Sequence, residues 1–247
     1  MYHIYADDGR ILTSPKELEP LLKSSFPAFS KLIGHIRFFY MADEIWDGTR
    51  SLIFSAGGKQ LTAITLDDGV FDVHIADKNF RGIDETLLDA IFKTLEETVP
   101  LEQHRPFEQL TMNMNDLTKF PCGYRCDMCL GSKKSNENDF SKSENFGYMN
   151  WVCYHNCVPG IDIERWDGVF NCPGCASKKN ECRYFICPAE KGHANCIECG
   201  EYHVCDVHHG SHYPGQCNLG MTAEEVTTLV IPYCIKERFD IFRNSEN

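Results

Sequence analysis

Apolar residues recur at helical spacing in two stretches of the first half of the chain. One stretch runs from Phe29 to Phe39, and the other covers residues 83–99, where an apolar stripe ends at Pro100. A stripe of this period is typical of a helix that packs one face on a core. Proline cannot continue a helix, so we expect the second helix to end before it.

A β-rich pattern lies between these two predicted helices. Residues 51–56 and 60–66 are separated by Gly57-Gly58, which is typical of a hairpin turn. The turn at 67–69 then leads into residues 70–76, where apolar and polar residues alternate as in a half-buried strand. These runs predict three consecutive antiparallel strands.

The end of the first half adds one further predicted strand, in which Leu110, Met112 and Met114 alternate. Three or four antiparallel strands with helices on one face form the most economical arrangement, which is an α+β fold. This half contains no glycine-rich phosphate loop, serine nucleophile elbow or helical histidine pair, and His35 and His74 are isolated. We therefore expect both histidines to be structural.

The cysteines divide the chain, because all 14 lie between Cys122 and Cys234. This step in composition predicts two domains, residues 1–118 without cysteine and residues 119–247 with it. We expect the second domain to be zinc-ribbon-like and stabilised by metal, with little regular structure and a terminal helix. Its polar segment 132–145 is expected to be a surface loop.

Helix signals lie near the end of the second half. Thr222 and Glu225 form a capping box, which predicts that a helix follows. Pro232 is expected to break or kink this helix, and residues 233–242 are expected to resume it. Within them, Cys234 is predicted to be a buried apolar residue rather than a ligand.

The role expected for so many cysteines depends on the redox state of the protein's cellular compartment. The chain has no apolar run long enough to span a membrane, and its first ten residues do not resemble a secretory signal. We therefore expect a cytoplasmic protein, and disulfides are rare in the reducing cytosol. Cysteines in such a chain favour metal binding or catalysis over crosslinks.

Three cysteine pairs have C-x-x-C spacing, in which a tight turn lets both sulfurs reach one ion at about 2.3 Å. Four further cysteines lie close to these pairs. Together they are the candidate metal ligands: Cys122, Cys126, Cys129, Cys172, Cys175, Cys182, Cys187, Cys196, Cys199 and Cys205. Ten to twelve thiolates fill two or three tetrahedral zinc sites, but the spacing does not determine which ligands share an ion.

Other residues near these pairs are left open as ligands. Cys153 and Cys157 form a looser C-x-x-x-C pair, and four histidines between His203 and His212 cluster near Cys205. Either one of these histidines completes a site, or the group forms a solvent-exposed turn. The sequence supports both interpretations equally.

Iron–sulfur clusters are the alternative to zinc, because four-thiolate sites serve both. Cys122, Cys126 and Cys129 have the C-x3-C-x2-C spacing of radical S-adenosylmethionine enzymes, and Cys187-Pro188 is similar to the end of some ferredoxin motifs. The residues after Cys129 lack the alternating strands and helices of such enzymes, and the spacing before Cys187 does not match ferredoxins. Zinc is therefore favoured.

Residues 121–205 resemble the prokaryotic cysteine-rich family called domain of unknown function 3795. The resemblance rests on the order and spacing of five pieces: CGYRCDMC (Cys122–Cys129), CPGC (Cys172–Cys175), CRYFIC (Cys182–Cys187), EKG (Glu190–Gly192) and CIECGEYHVC (Cys196–Cys205). It implies a zinc-ribbon-like role for the cysteines in those pieces. The hairpin LIFSAGGKQLTAITLDDGVFDV and the helix after it resemble a second family, domain of unknown function 3788. Neither resemblance implies an activity.

The charge of the chain bears on its partners. The net charge is −12, both halves are acidic, and no basic face for a phosphate backbone is visible. The charge therefore argues against nucleic acid. The absence of a long apolar run argues against a membrane, which leaves an unknown protein or a small ligand as partner.

Three functions fit these patterns. All-cysteine sites are coordinatively closed, so the favoured function is a structural zinc protein that presents a binding surface, without catalysis. The second is an enzyme or electron carrier with an iron–sulfur cluster. The third is a thiol or metal sensor, in which spare thiols such as Cys153, Cys157 and Cys217 react.

Overall fold

The computed structural model describes residues 4–5, 11–12, 15–47, 50–112, 122–129, 183–201, 205 and 219–245. The predicted domain boundary after residue 118 and the predicted loop 132–145 lie outside these segments. Both therefore stay predictions.

The chain forms two compact units, and each contains a segment from late in the sequence. The sheet unit combines Met1–Arg105 with Tyr213–Val226. The cysteine unit combines Pro106–His212 with Thr227–Asn247.

All strands in the described part of the chain belong to the sheet unit. Two short strands, Ile4–Tyr5 (β1) and Ile11–Leu12 (β2), pair antiparallel. The remaining strands form one five-stranded antiparallel sheet in chain order: Asp43–Trp46 (β3), Ser51–Ala56 (β4), Lys59–Asp67 (β5), Val70–Ile75 (β6) and Lys78–Phe80 (β7). The predicted hairpin and the strand that follows it are thus present as β4, β5 and β6.

The helices of the described segments are mostly short. In chain order they are α1 (Glu19–Leu22), α2 (Phe26–Phe39), α3 (Leu88–Thr98), α4 (Phe107–Leu110), α5 (Arg183–Glu190), α6 (Ala223–Glu225) and α7 (Ile235–Ser245). Single 3-10 turns occupy Pro15–Leu18, Lys23–Ser25, Glu85–Leu87, Leu101–Gln103, Cys196–Glu198 and Ile231–Tyr233. A π-helical turn at Val226–Val230 follows α6.

The core of the sheet unit lies between one face of the sheet and helices α2 and α3. Alternate residues of β4, β5 and β6 point to this face, as a two-residue period requires. They are Leu52, Phe54, Ile64, Leu66, Phe71, Val73 and Ile75, and they join one buried cluster with the apolar stripes of both helices. Burial of each such side chain stabilises the unit by about 1.5–3 kcal/mol.

The sheet has five strands, whereas the sequence predicted three or four. Strand β3 lacks an apolar alternation because Glu44 occupies its single buried position. Strand β7 is a short edge strand, and two of its three residues are exposed and polar. Edge strands of this kind carry little apolar signal.

The predicted strand at Leu110 is wrong. Residues Phe107–Leu110 form helix α4, in which the N–H of Thr111 donates to the Phe107 carbonyl at 3.0 Å. Pro106 precedes the helix with a backbone conformation suited to a helix start. The other end of the predicted strand, Met114, lies outside the described residues.

The predicted capping box is confirmed. The Thr222 hydroxyl accepts from the N–H of Glu225 at 3.2 Å, and the Glu225 carboxylate accepts from the N–H of Thr222 at 2.8 Å. The chain then resumes as α7 after Pro232, as predicted, and Cys234 is fully buried. No helix among the described residues is long and apolar enough to cross a membrane.

A buried ion pair holds β3 in the sheet unit. The Oε2 atom of Glu44 accepts from Arg37 Nε at 2.8 Å, and both side chains are 1% exposed. Its Oε1 atom accepts from the N–H of Gly220 at 3.0 Å, and its own N–H donates to the Met221 carbonyl at 2.8 Å. Both carboxylate oxygens are therefore occupied by donors.

We predict that Glu44→Gln destabilises the sheet unit by about 3 kcal/mol or more, because breaking a buried ion pair leaves an uncompensated charge. The amide would also place an N–H₂ group against one of the two donors that bind Glu44, which are Arg37 Nε and the N–H of Gly220. Hydrogen exchange in increasing urea, measured on peptides that cover β4 and β5, gives this free energy.

The matched control is Glu97→Gln on α3. Glu97 pairs with Lys93 at 3.9 Å, and both side chains are more than half exposed. Its loss should cost less than about 0.5 kcal/mol. Equal effects of the two substitutions would contradict the role given to Glu44.

Candidate functional site

The cysteines in the described segments are not joined to one another by disulfide bonds. Those among the predicted metal ligands are Cys122, Cys126, Cys129, Cys187, Cys196, Cys199 and Cys205. The remaining candidates lie outside the described residues: Cys172, Cys175 and Cys182, together with Cys153, Cys157, Cys217 and the histidines between His203 and His212.

The first predicted ligand segment, Cys122–Cys129, forms a tight turn. The N–H groups of Met128 and Cys129 both donate to the Arg125 carbonyl, at 3.0 and 3.1 Å. Cys122 and Cys129 are buried, and Cys126 is half-buried. A turn of this kind is the local geometry that C-x-x-C spacing predicts.

Arg125 fixes this turn to other parts of the cysteine unit. Its N–H donates to the Pro232 carbonyl at 3.0 Å, and its guanidinium binds both oxygens of Asp127, at 2.8 and 2.7 Å. These hydrogen bonds lower the pKa of Asp127. The same guanidinium donates to the carbonyls of Glu108 and Thr111, which the end of α4 leaves without helical partners.

Arg238 of α7 binds the backbone at the start of the same turn. Its guanidinium donates to the carbonyls of Gly123 at 2.8 Å, Ile231 at 2.5 Å and Cys234 at 3.3 Å. The side chain is 1% exposed, and its Nε atom has no hydrogen-bond partner among the described residues. Burial lowers the pKa of Arg238 to about 10.

The backbone at Gly123 lies directly against α7. Its φ is +81°, a conformation that favours glycine. A Cβ atom there would stand 2.6 Å from Phe239 and 3.1 Å from Ile235. Glycine is therefore required for the turn to approach the helix this closely.

The third C-x-x-C pair, Cys196/Cys199, is held by two polar side chains. Oδ1 of the buried Asn195 accepts from the N–H groups of Ile197 at 3.1 Å and Glu198 at 3.2 Å. Arg243 of α7 donates to the carbonyls of Ile197 at 2.7 Å and Cys199 at 2.9 Å. Both ends of the short 3-10 turn are thus fixed.

Cys187 lies in α5, which ends in a Schellman motif at Gly192. The N–H of His193 donates to the Pro188 carbonyl at 2.8 Å, and that of Gly192 donates to Ala189 at 3.1 Å. Because Pro188 has no N–H, it leaves the Tyr184 carbonyl without its usual helical donor. The Cys196 thiol contacts that carbonyl at 3.9 Å.

The ammonium group of Lys191 interacts electrostatically with both Cys187 and Cys199. Its ammonium donates to Glu201 at 2.5 Å, and this hydrogen bond is the main reason that its pKa is raised. Negative charge on Cys199 and on Cys187 raises the same pKa further. Two predicted ligands from different segments therefore act on one lysine.

Three tyrosines join the cysteine-bearing segments. The ring of Tyr124 meets those of Tyr184 and Tyr233 edge-on, with centroids 5.4 and 5.3 Å apart. The hydroxyls of Tyr124 and Tyr184 are 3.2 Å apart, and the Tyr233 hydroxyl lies 3.4 Å from Cys129 Sγ. Burial, then Tyr184, raises the pKa of Tyr124, and charge on Cys122 adds to this shift.

This tyrosine cluster and the core beneath it bring three of the predicted pieces together. Cys196 and Ile197 pack in one buried cluster with Ile235 and Phe239 of α7. Among the described residues, however, no three Cys, His, Asp or Glu side chains form a group that could hold a metal ion. Cys205 is described without its neighbours 202–204.

The residues that position these thiols were not predicted from the sequence. Asn195 stands directly before a C-x-x-C pair, and asparagine at that position is typical of a capped turn. The sequence therefore contained a signal for this residue. The contacts of Arg125, Arg238 and Arg243 join residues far apart in the chain, and nothing in the local pattern indicates them.

No family model, no curated protein and no solved structure matches this chain.

We predict that Gly123→Ala destabilises the cysteine unit by about 3 kcal/mol or more, because it adds left-handed backbone strain to a clash with Phe239. Urea denaturation followed by hydrogen exchange of peptides covering α7 measures this effect.

Gly200→Ala is the control within the same unit. A Cβ at Gly200 meets no atom within 4 Å. This substitution should change the free energy of unfolding by less than about 0.5 kcal/mol. If Gly123→Ala is equally mild, the close approach of the turn to α7 is wrong.

Proposed function

We propose that this chain is a metal-binding protein in which cysteine thiolates hold zinc in closed structural sites. On this proposal the cysteine unit acts as a binding module for a protein or small ligand, and the ligands come from the ten predicted cysteines. An iron–sulfur cluster on the same thiolates is the alternative.

The observation that carries the proposal is the joining of separate cysteine segments by one tyrosine cluster. Tyr124 belongs to the first segment, Tyr184 to the helix of Cys187, and Tyr233 contacts Cys129. Ligands from distant segments commonly share one ion in zinc modules. Cysteine side chains in separate segments that pack on a common core fit that chemistry.

The buried Arg238 is a second point of support. Its acceptors among the described residues are carbonyl oxygens, which carry no full negative charge. A buried cation is costly, and the burial that lowers the pKa of Arg238 is not offset by the nearby charges of Glu237 and Asp127, which raise it. A zinc ion with four thiolates has a net charge of about −2, because four thiolates outnumber the ion's two positive charges. Such a site nearby would offset the charge of this guanidinium.

A structural role for the metal follows from the ligand type. Sites with four cysteines leave no open position for water or substrate. The described segments of the cysteine unit contain short helices but no strand, so bound metal would add folding free energy to what these helices provide. The acidic net charge of −12 favours a partner that is not a nucleic acid.

Metal content tests the proposal. Zinc-replete full-length protein should carry two or three zinc ions, and Cys126→Ser should lose about one of them, because a tetrahedral site needs all four ligands. A chelator should unfold the cysteine unit and leave the sheet unit folded, as measured by hydrogen exchange on peptides from each.

Cys234→Ser is the matched control, because Cys234 is not among the predicted ligands. Its thiol donates to the Val230 carbonyl at 3.3 Å, a hydrogen bond that serine can keep. Zinc content should be unchanged. A brown protein containing iron would support the cluster alternative, and equal metal content in the two variants would contradict the assignment of Cys126.

A further inference from the structure

The sheet unit contains a groove that the proposed metal sites do not involve. It lies beside α2 and α3 and has a volume of about 570 Å³. Its walls include His35, Phe39, Tyr40, Phe92 and His104. A volume of this size is within the range of small-molecule sites, which combine apolar walls with a few polar groups.

The aromatic walls are ordered by mutual stacking. The His35 ring lies nearly parallel to that of Phe92, with centroids 3.9 Å apart and planes at 9°. Phe39 packs on the same imidazole at 4.6 Å, and His104 meets Tyr40 edge-on at 5.0 Å. Mutual packing therefore fixes the orientation of the aromatic rings that line the groove.

Two polar groups in this groove have no hydrogen-bond partner among the described residues. Tyr40 is 4% exposed, yet its hydroxyl makes no hydrogen bond there, and the same is true of the His35 ring nitrogens. Within the described segments the only fully enclosed unpaired polar side-chain atom is Arg238 Nε. The Tyr40 hydroxyl and the His35 nitrogens are therefore accessible from the groove.

The charges at the rim are mainly negative. Asp89 and Glu96 of α3 line the groove, two turns apart on the same helix face. Lys93 lies between them and pairs with Glu97 outside the groove. Burial and the charge of Glu96 raise the pKa of Tyr40 to about 12, so the carboxylate acts on the hydroxyl.

The imidazole adds no positive charge near neutral pH. Burial lowers the pKa of His35 to about 4, and the groups that face it from α2, α3 and the following turn are Asp89, Lys93, Glu96 and His104. A neutral imidazole offers one donor and one acceptor.

We propose that this groove binds a small planar aromatic cation, which packs on its aromatic walls and places its charge toward Asp89 and Glu96. Cations are attracted to aromatic faces and to carboxylates alike, and an aromatic ring fits walls that already stack on one another. The Tyr40 hydroxyl and the His35 imidazole would accept hydrogen bonds from the cationic group.

Benzamidine is the probe that tests this proposal on the full-length protein. Titration calorimetry should show saturable binding. Neutral benzamide, which has nearly the same shape, should bind at least about fivefold more weakly, and benzoate more weakly still. Hydrogen exchange should show added protection confined to the segments that line the groove, which are α2 with Tyr40, α3 and the backbone around His104.

Variants at two neighbouring positions distinguish binding in the groove from a general effect of the protein's negative charge. Glu96→Gln should weaken benzamidine binding by about fivefold, whereas Glu97→Gln should change it by less than about twofold. Tyr40→Phe, which removes the unpaired hydroxyl and keeps the ring, should also weaken binding. The proposal is overturned if benzamidine fails to bind saturably at millimolar concentration, if benzamide binds equally well, or if Glu96→Gln and Glu97→Gln have equal effects.

Discussion

The cysteine unit depends on arginine side chains that donate to main-chain carbonyls in its turns and at the ends of its short helices. Buried carbonyls need donors, and in a segment without strands or long helices the backbone supplies few. Arg125 closes the end of α4, Arg243 holds the Cys196 turn, and Arg238 holds the turn at Gly123. The planar guanidinium suits this task because it offers five donors in a fixed geometry.

This solution places positive charge inside the unit, and the charge connects the fold to the proposed function. Arg238 is buried against carbonyl oxygens, close to a turn that carries three of the predicted ligands. Thiolate ligands around zinc would supply negative charge from the same segments. The metal, on this proposal, both organises the cysteines and compensates the cation, so its loss would affect packing as well as coordination.

Sequence patterns predicted the parts of the fold that follow a simple apolar period. Helix α2 and the strands β4 to β6 have that period, and their buried residues match it. The pattern failed at β3, because Glu44 is buried through its pairing with Arg37, and at Leu110, because backbone hydrogen bonds form a helix after Pro106. The candidate ligands could be named from spacing, but the distant arginine and tyrosine contacts that position them could not.

The most direct test of the metal proposal is X-ray absorption at the zinc edge on the full-length protein. The account predicts a first shell of about four sulfur atoms at about 2.3 Å, with at most one histidine nitrogen in any site. A first shell of nitrogen and oxygen near 2.0–2.2 Å would contradict it. Absence of bound zinc after metal-replete preparation would contradict it equally.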